Sequence, residues 1–260
     1  MRGVDLERYV FDTGLTLSIL WMNADGTIYH RYGGRDSRGA DHWLTLPSLG
    51  SAMATSLAAH RTHQVIARVA NKNQPLTLER VPSFIKRDRG ECIHCHSIRP
   101  ALYEEQLADG TWTADQIWRF VPPSRIGLDL DRDDQSRIVA VVKGSAAEVA
   151  GLRVGDSLGS VDGEVIATAT DLMFALDRFD SSGGQLPVVF ERDGKSRTVQ
   201  VELVKGWKVG TAQDFAWRPF KWGLSPAPGF GGTQLSQGEL RGIGLTSDDS
   251  SFAFRVTYLV

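Results

Sequence analysis

The sequence predicts an α+β protein of more than one domain, and three stretches carry that expectation. Residues 15–62 read strand, turn, strand, helix. Residues 125–204 hold short alternating strands around one amphipathic helix. Between them lies Cys92-Ile93-His94-Cys95-His96, a C-x-x-C-H run that uses both cysteines of the chain. At 260 residues and 42% hydrophobic content the chain can build two compact cores. Its 29 basic and 31 acidic side chains leave a formal charge of −2 and a pI near 6.3, so no overall basic field points to nucleic acid. The longest apolar stretches, such as Leu15 to Trp21, fall far short of the roughly 18 residues that a membrane span needs.

Leu15-Thr-Leu-Ser-Ile-Leu-Trp-Met22 is rich in branched and aromatic residues and predicts a buried strand. Asn23-Ala-Asp-Gly26 supplies turn chemistry, and Thr27 to Tyr32 alternates as a strand running back antiparallel until Gly33-Gly34. Thr45 or Ser48 then caps a helix that continues through Met53, Leu57 and Ala58. This ββα order, with its A-D-G-T-I turn and R-Y-G-G end, resembles the closing half of a thioredoxin-like domain over residues 13–62. No βαβ unit and no active-site cysteine pair precede the hairpin. The resemblance therefore implies a chain that starts inside the domain at an internal methionine, with the missing half and an export signal upstream. Arg2, Asp5, Glu7 and Arg8 rule out a signal peptide in the opening residues as they stand.

Two thiols three residues apart can each add to a vinyl group of haem, and the histidine directly after them can reach the iron. One covalent haem c is expected, with Cys92 and Cys95 as thioether anchors and His96 as an axial ligand. The same cysteine spacing also serves half of a zinc site, or a thiol oxidoreductase in which Cys92 attacks and Cys95 resolves the mixed disulfide. His30, His42, His60, His63, Met22 and Met53 are candidate sixth ligands, whereas Met173 fits groove lining or core better. Between Arg61 and Arg99 basic side chains exceed acidic ones by five. That excess suits a solvated surface, or a docking face for an acidic partner or haem propionates. A helix is predicted over residues 97–107, stopped by Asp109-Gly110, and Val121-Pro122-Pro123 marks a domain boundary.

Beyond it come Arg125-Ile-Gly-Leu-Asp-Leu130, Arg137-Ile-Val-Ala-Val-Val-Lys-Gly-Ser-Ala-Ala147, Ala150-Gly-Leu-Arg-Val-Gly-Asp-Ser-Leu158 and Val161-Asp-Gly163. Ser145 is placed to cap a short helix that Gly151 ends, Gly155 permits a tight turn, and Asp156 accepts backbone donors before the next strand. Asp171 to Phe179 predicts a helix with Leu172, Ala175, Leu176 and Phe179 toward a core, and Asp193-Gly194 predicts a hairpin turn. This whole stretch resembles a PDZ domain of the bacterial type. The resemblance implies a peptide groove between the strand Gly127 to Leu130 and the helix at Asp171. Its lining would be Ile126, Leu128, Leu172, Ala175 and Leu176. A partner's terminal carboxylate would be held by backbone amides near Ile126, Gly127 and Leu128, with help from Arg125. Ser182-Gly183-Gly184 looks superficially like a serine-protease nucleophile motif, but it falls in a turn with no protease-sized domain beside it. There is also no H-E-x-x-H, P-loop or G-x-S-x-G.

Trp207, Trp217 and Trp222 make the segment after residue 205 too aromatic to trail in water, and residues 251–260 alternate like a strand. The expected division is 1–120, a thioredoxin-like region with the haem-motif helix; 121–205, the PDZ-like domain; and 206–260, a segment packing back on the N-terminal region. Taken together the order is similar to multi-domain proteins of planctomycete-type bacteria. It implies a haem-bearing periplasmic or envelope protein that exchanges electrons with a redox partner protein and recruits a peptide or protein C terminus. A non-catalytic PDZ adaptor without haem and a thiol oxidoreductase are the alternatives.

Overall fold

The first turn folds as its chemistry dictates. Gly26 adopts φ 86°, its N–H donates to Asn23 O at 2.9 Å, and the Asn23 N–H donates to Thr27 O at 2.9 Å. In this computed structural model, which describes residues 2–63, 74–86, 93–211, 214, 217–218, 230–244 and 254–259, the flanking strands pair antiparallel. They are β1 (Ser18–Met22) and β2 (Ile28–Gly33), with Ser18 opposite Gly33. The first strand starts three residues later than the apolar run suggests, and Leu15 is buried outside it. Helix α1 (Leu46–Thr62) opens with a reciprocal capping box between Thr45 and Ser48 and with Pro47 in its first turn.

A small core follows in the middle of the chain. Helix α2 (Pro82–Ile85) and helix α3 (Ile98–Ala108) bring together Leu78, Val81, Ile93, Ile98 and Ala101, with Phe11 and Phe84 packed against them. A 3₁₀ turn at Cys95–Ser97 leads directly into α3, so the helix expected after His96 is present.

The region after Pro123 is built from β3 (Leu128–Leu130), β4 (Ile138–Val141), α4 (Ala146–Val149), β5 (Ser157–Val161), β6 (Glu164–Val165), α5 (Ala169–Arg178), β7 (Gly184–Arg192) and β8 (Lys195–Leu203). β3 pairs with β4, and the other four strands form an antiparallel sheet in the order β6-β5-β7-β8. Asp162-Gly163 and Asp193-Gly194 turn their hairpins with positive φ at both residues, the left-handed geometry that matches strand twist. Ser145 Oγ accepts the Glu148 N–H at 3.2 Å, and Asp156 accepts the Arg153 N–H at 2.8 Å. The core of this region does not stop at residues 121 and 205. Trp43 from the N-terminal segment and Trp207 from the following one are buried in the same cluster as Leu130, Leu172 and Leu186.

Contacts divide the chain into two compact units, Met1–Phe220 and Lys221–Val260. In the second, β9 (Phe230–Gln234) pairs antiparallel with β10 (Phe254–Leu259), confirming a strand near the C terminus. Helix α6 (Gln237–Gly242) begins at a Ser236–Glu239 capping box, and Glu239 also pairs with Arg255 at 2.7 Å. Among the described residues no helix is long and apolar enough to cross a membrane.

Candidate functional site

The 3₁₀ turn Pro123–Ile126 ends at Gly127, which adopts φ 89°. A Cβ at Gly127 would lie 2.1 Å from both Cβ and Oγ of Ser145, so the strand can pass this close to α4 only as glycine. In the β3–β4 ladder the Val142 N–H donates to Gly127 O at 2.8 Å, and Asp129 stands opposite Ala140. The antiparallel alternation then directs the N–H and C=O of Leu128 away from β4. Among the described residues no strand pairs with that outer edge.

The five apolar residues expected to line a groove are in one place. Ile126, Leu128, Leu172, Ala175 and Leu176 all belong to the main core, each no more than 2% exposed. Two further expectations need correction. The Gly127 N–H donates back to the carbonyls of Pro123 and Ser124, closing the 3₁₀ turn, so it does not point toward a ligand carboxylate. Arg125 donates through Nη2 to the carbonyls of Val209 and Trp207, so its guanidinium holds the segment after β8.

Helix α5 is more enclosed than a helix with one apolar face should be: every residue from Ala169 to Asp177 is buried. Two carboxylates explain how. Asp171 caps its own helix, accepting the Thr168 N–H at 3.2 Å, and also takes the Arg31 N–H of β2 at 2.7 Å and His30 Nδ1 at 3.0 Å. Thr168 Oγ1 donates to Arg31 O. Arg31 lays its guanidinium 3.3 Å from the centroid of the Phe174 ring. Burial pulls the pKa of Arg31 below its ordinary value, against the opposing pull of Asp171 and Glu164. At the other end Asp177 accepts two bonds from Arg119 at 2.6 and 2.7 Å and the Phe120 N–H at 3.0 Å, which secures Phe120 at φ 51°. Lys208 Nζ donates to the Asp177 carbonyl at 2.7 Å. The capping role of Asp171 was readable from T-x-x-D; its attachment to β2, 140 residues away, was not.

This arrangement of a glycine-ended turn, a short strand with a free edge and a capped helix sharing one core is matched by a family. Residues 124–203 match the family described as PDZ domain. That stretch is a PDZ domain. No curated protein matches the chain. Among solved structures, the serine endoprotease from Yersinia pestis is 20% identical over 42% of this chain and 35% of its own, with a TM-score of 0.31. The HtrA-type protease AlgW with decapeptide is 15% identical over 41% of this chain and 34% of its own, with a TM-score of 0.30. The chain thus spans about a third of the length of each. Within the PDZ domain Ser182 lies in the turn before β7, its N–H bonded to Asp180 Oδ1 at 2.7 Å.

Of the C-x-x-C-H run, Cys92 lies outside the described residues, as do Arg68, Lys72, Arg87 and Arg89 of the basic stretch. Ile93 is buried in the small core, Cys95 is half-buried, and His96 is exposed, with Nε2 3.4 Å from Leu15 O. The candidate histidine ligands have other partners. His30 is engaged with Asp171, His60 with the Tyr29 hydroxyl at 2.9 Å and His63 with Asp25 at 3.0 Å, while His42 packs edge-on to Trp43. Met22 and Met53 are exposed, and Met173 is buried in α5. Among the described residues no three His, Cys, Asp or Glu side chains gather as a metal site.

Proposed function

We propose that this chain is a protein-binding module in which the PDZ domain takes an extended polypeptide as a further strand on β3. The observation that carries this reading is the outward-facing Leu128 peptide group on an edge with no strand partner among the described residues. Backbone pairing supplies affinity there, and the neighbouring apolar core supplies a place for a side chain once α5 and β3 part slightly. The test is titration of the full chain with a library of ten-residue peptides ending in free carboxylates, followed by amide NMR. Shifts concentrated on Leu128, Asp129 and Leu130 are expected. A folded chain that binds no member of the library would rule the reading out.

The C-x-x-C-H run supports a second role beside the first. Cys92 and Cys95 would anchor one haem c and His96 would ligate its iron; bound there, the group supplies one-electron exchange with a redox partner protein. The exposed imidazole of His96 at the head of α3 is what favours it. Because thioether attachment takes place outside the bacterial cytoplasm, this role places the chain in the periplasm or envelope. The ββα order of residues 18–62 likewise supports kinship with thioredoxin-like domains. A pyridine haemochrome spectrum and intact mass, on protein exported in a host that makes c-type cytochromes, decide the matter. A c-type band and one haem's added mass, both lost in Cys92→Ala with Cys95→Ala, are expected; unmodified thiols after successful export would end the haem reading.

A further inference from the structure

The two walls of the PDZ groove are tied together at one end by the chain's own N-terminal segment. β2 is fastened to α5 through Asp171, and five residues past its end Arg38 reaches β3. Arg38 Nη1 lies 2.9 and 3.0 Å from the two carboxylate oxygens of Asp129, the middle residue of β3, while Nε and Nη2 hold Asp36 at 3.0 and 2.8 Å. The guanidinium carbon stands 4.8 Å from the ring centroid of Trp43, which is 1% exposed in the PDZ core. The Trp43 carbonyl accepts Gln135 Nε2 at 2.7 Å, and Oε1 of the same buried amide accepts the N–H of Ala169, the first residue of α5, at 3.0 Å. Arg132 Nε donates to His42 O at 2.7 Å. Residues 36–43 therefore run from the middle of β3 to the head of α5.

We propose that Arg38, carried on residues 36–43, is an internal competitor for the Asp129 carboxylate on β3, and that the partner it competes with is an extended peptide whose own arginine replaces Arg38 there. The proposal rests on the peptide-binding reading above. A strand added to β3 places alternate side chains beside Asp129, within the reach of a long cation. The carboxylate of Asp129 is 44% exposed and already receives a guanidinium, so its geometry suits that group. Arginine suits it better than lysine, because a planar fork spreads its donors over two oxygens. Trp43, locked in the core, anchors the segment. The Nη1 contact of Arg38 with Asp129 is its displaceable tip, because an ion pair open to water is readily exchanged for an equivalent one while Nε and Nη2 stay on the buried Asp36. Tethering makes the tip effective despite a weak contact, since its local concentration is high.

The experiment uses the full chain and fluorescein-labelled ten-residue peptide pools with an apolar C-terminal residue, carrying one arginine or one glutamate at each interior position in turn. Anisotropy titration should show roughly tenfold tighter binding for arginine than for glutamate at one position. Arg38→Ala should tighten that pool by about threefold or more, Arg38→Lys should do so less, and Asp129→Asn should erase the arginine preference. Melting temperatures confirm that the variants fold, and the lysine variant keeps the test open should the alanine variant melt early. Pools that bind without arginine preference, unaffected by either substitution, overturn this inference and leave the peptide-binding reading standing. Folded wild type and Arg38→Ala that both bind nothing overturn the two together.

Discussion

His30 Nδ1 lies 3.0 Å from Oδ2 of Asp171, with 2% and 3% of the two side chains exposed, and this contact joins the N-terminal hairpin to the PDZ helix across 141 residues of sequence. Asp171 also carries the helix cap and the Arg31 N–H, so one carboxylate serves both the helix and the interface. Removing it leaves several buried donors without an acceptor. Asp171→Ala is expected to lower the unfolding free energy by about 3–5 kcal/mol in urea titration, and Asp171→Asn by less, since the amide keeps one accepting oxygen. A loss under about 1 kcal/mol for the alanine variant would show that the clasp contributes little to stability.

Asp25 is held well below the usual carboxylate range, at about 2, first by its hydrogen bond with His63 and then by those with Thr27. A carboxylate depressed in the folded state adds stability that is complete above its ordinary pKa of 3.8 and is lost as pH falls through about 2. In His63→Ala, NMR titration of the Asp25 side-chain carbonyl should show its midpoint moving up toward 3.8. A midpoint still near 2 would assign the depression to Thr27 alone.

Gly127→Ala forces a side chain into a left-handed backbone position and into Ser145. Strain and overlap together should cost about 2–4 kcal/mol by denaturant titration, and the β3 edge should lose amide-exchange protection at Leu128 to Leu130 before the rest of the domain. Wild-type stability in this variant would mean that the backbone here relaxes freely.

Trp207 packs edge-on to Phe179 with ring centroids 6.2 Å apart, and its Nε1 donates to Asp180 O at 2.8 Å. Trp207→Ala should destabilise by about 3–5 kcal/mol, and Trp207→Phe by about 1 kcal/mol, because the phenyl ring keeps the packing and loses the hydrogen bond. For the same reason a fragment ending at residue 205 should melt below one ending at residue 211. Equal melting of the two fragments would show that Trp207 covers the core without stabilising it.

The local elements were readable from the chain's residues alone. Turn chemistry at Asn23–Gly26, Asp162-Gly163 and Asp193-Gly194, caps at Thr45 and Ser145, and the helix after His96 were all legible because each depends on residues within a few positions of one another. The PDZ domain was legible for the same reason, its glycines and caps being spaced by local geometry that the family shares. What those elements touch depends on long-range packing. That Arg125 holds Val209, that Asp171 receives β2 and that Arg38 sits on Asp129 all follow from chain paths that bring residues 84 to 140 positions apart into contact. A charged residue in a sequence states how strongly it will seek a partner when buried; which partner it finds depends on long-range packing, and no local pattern encodes that.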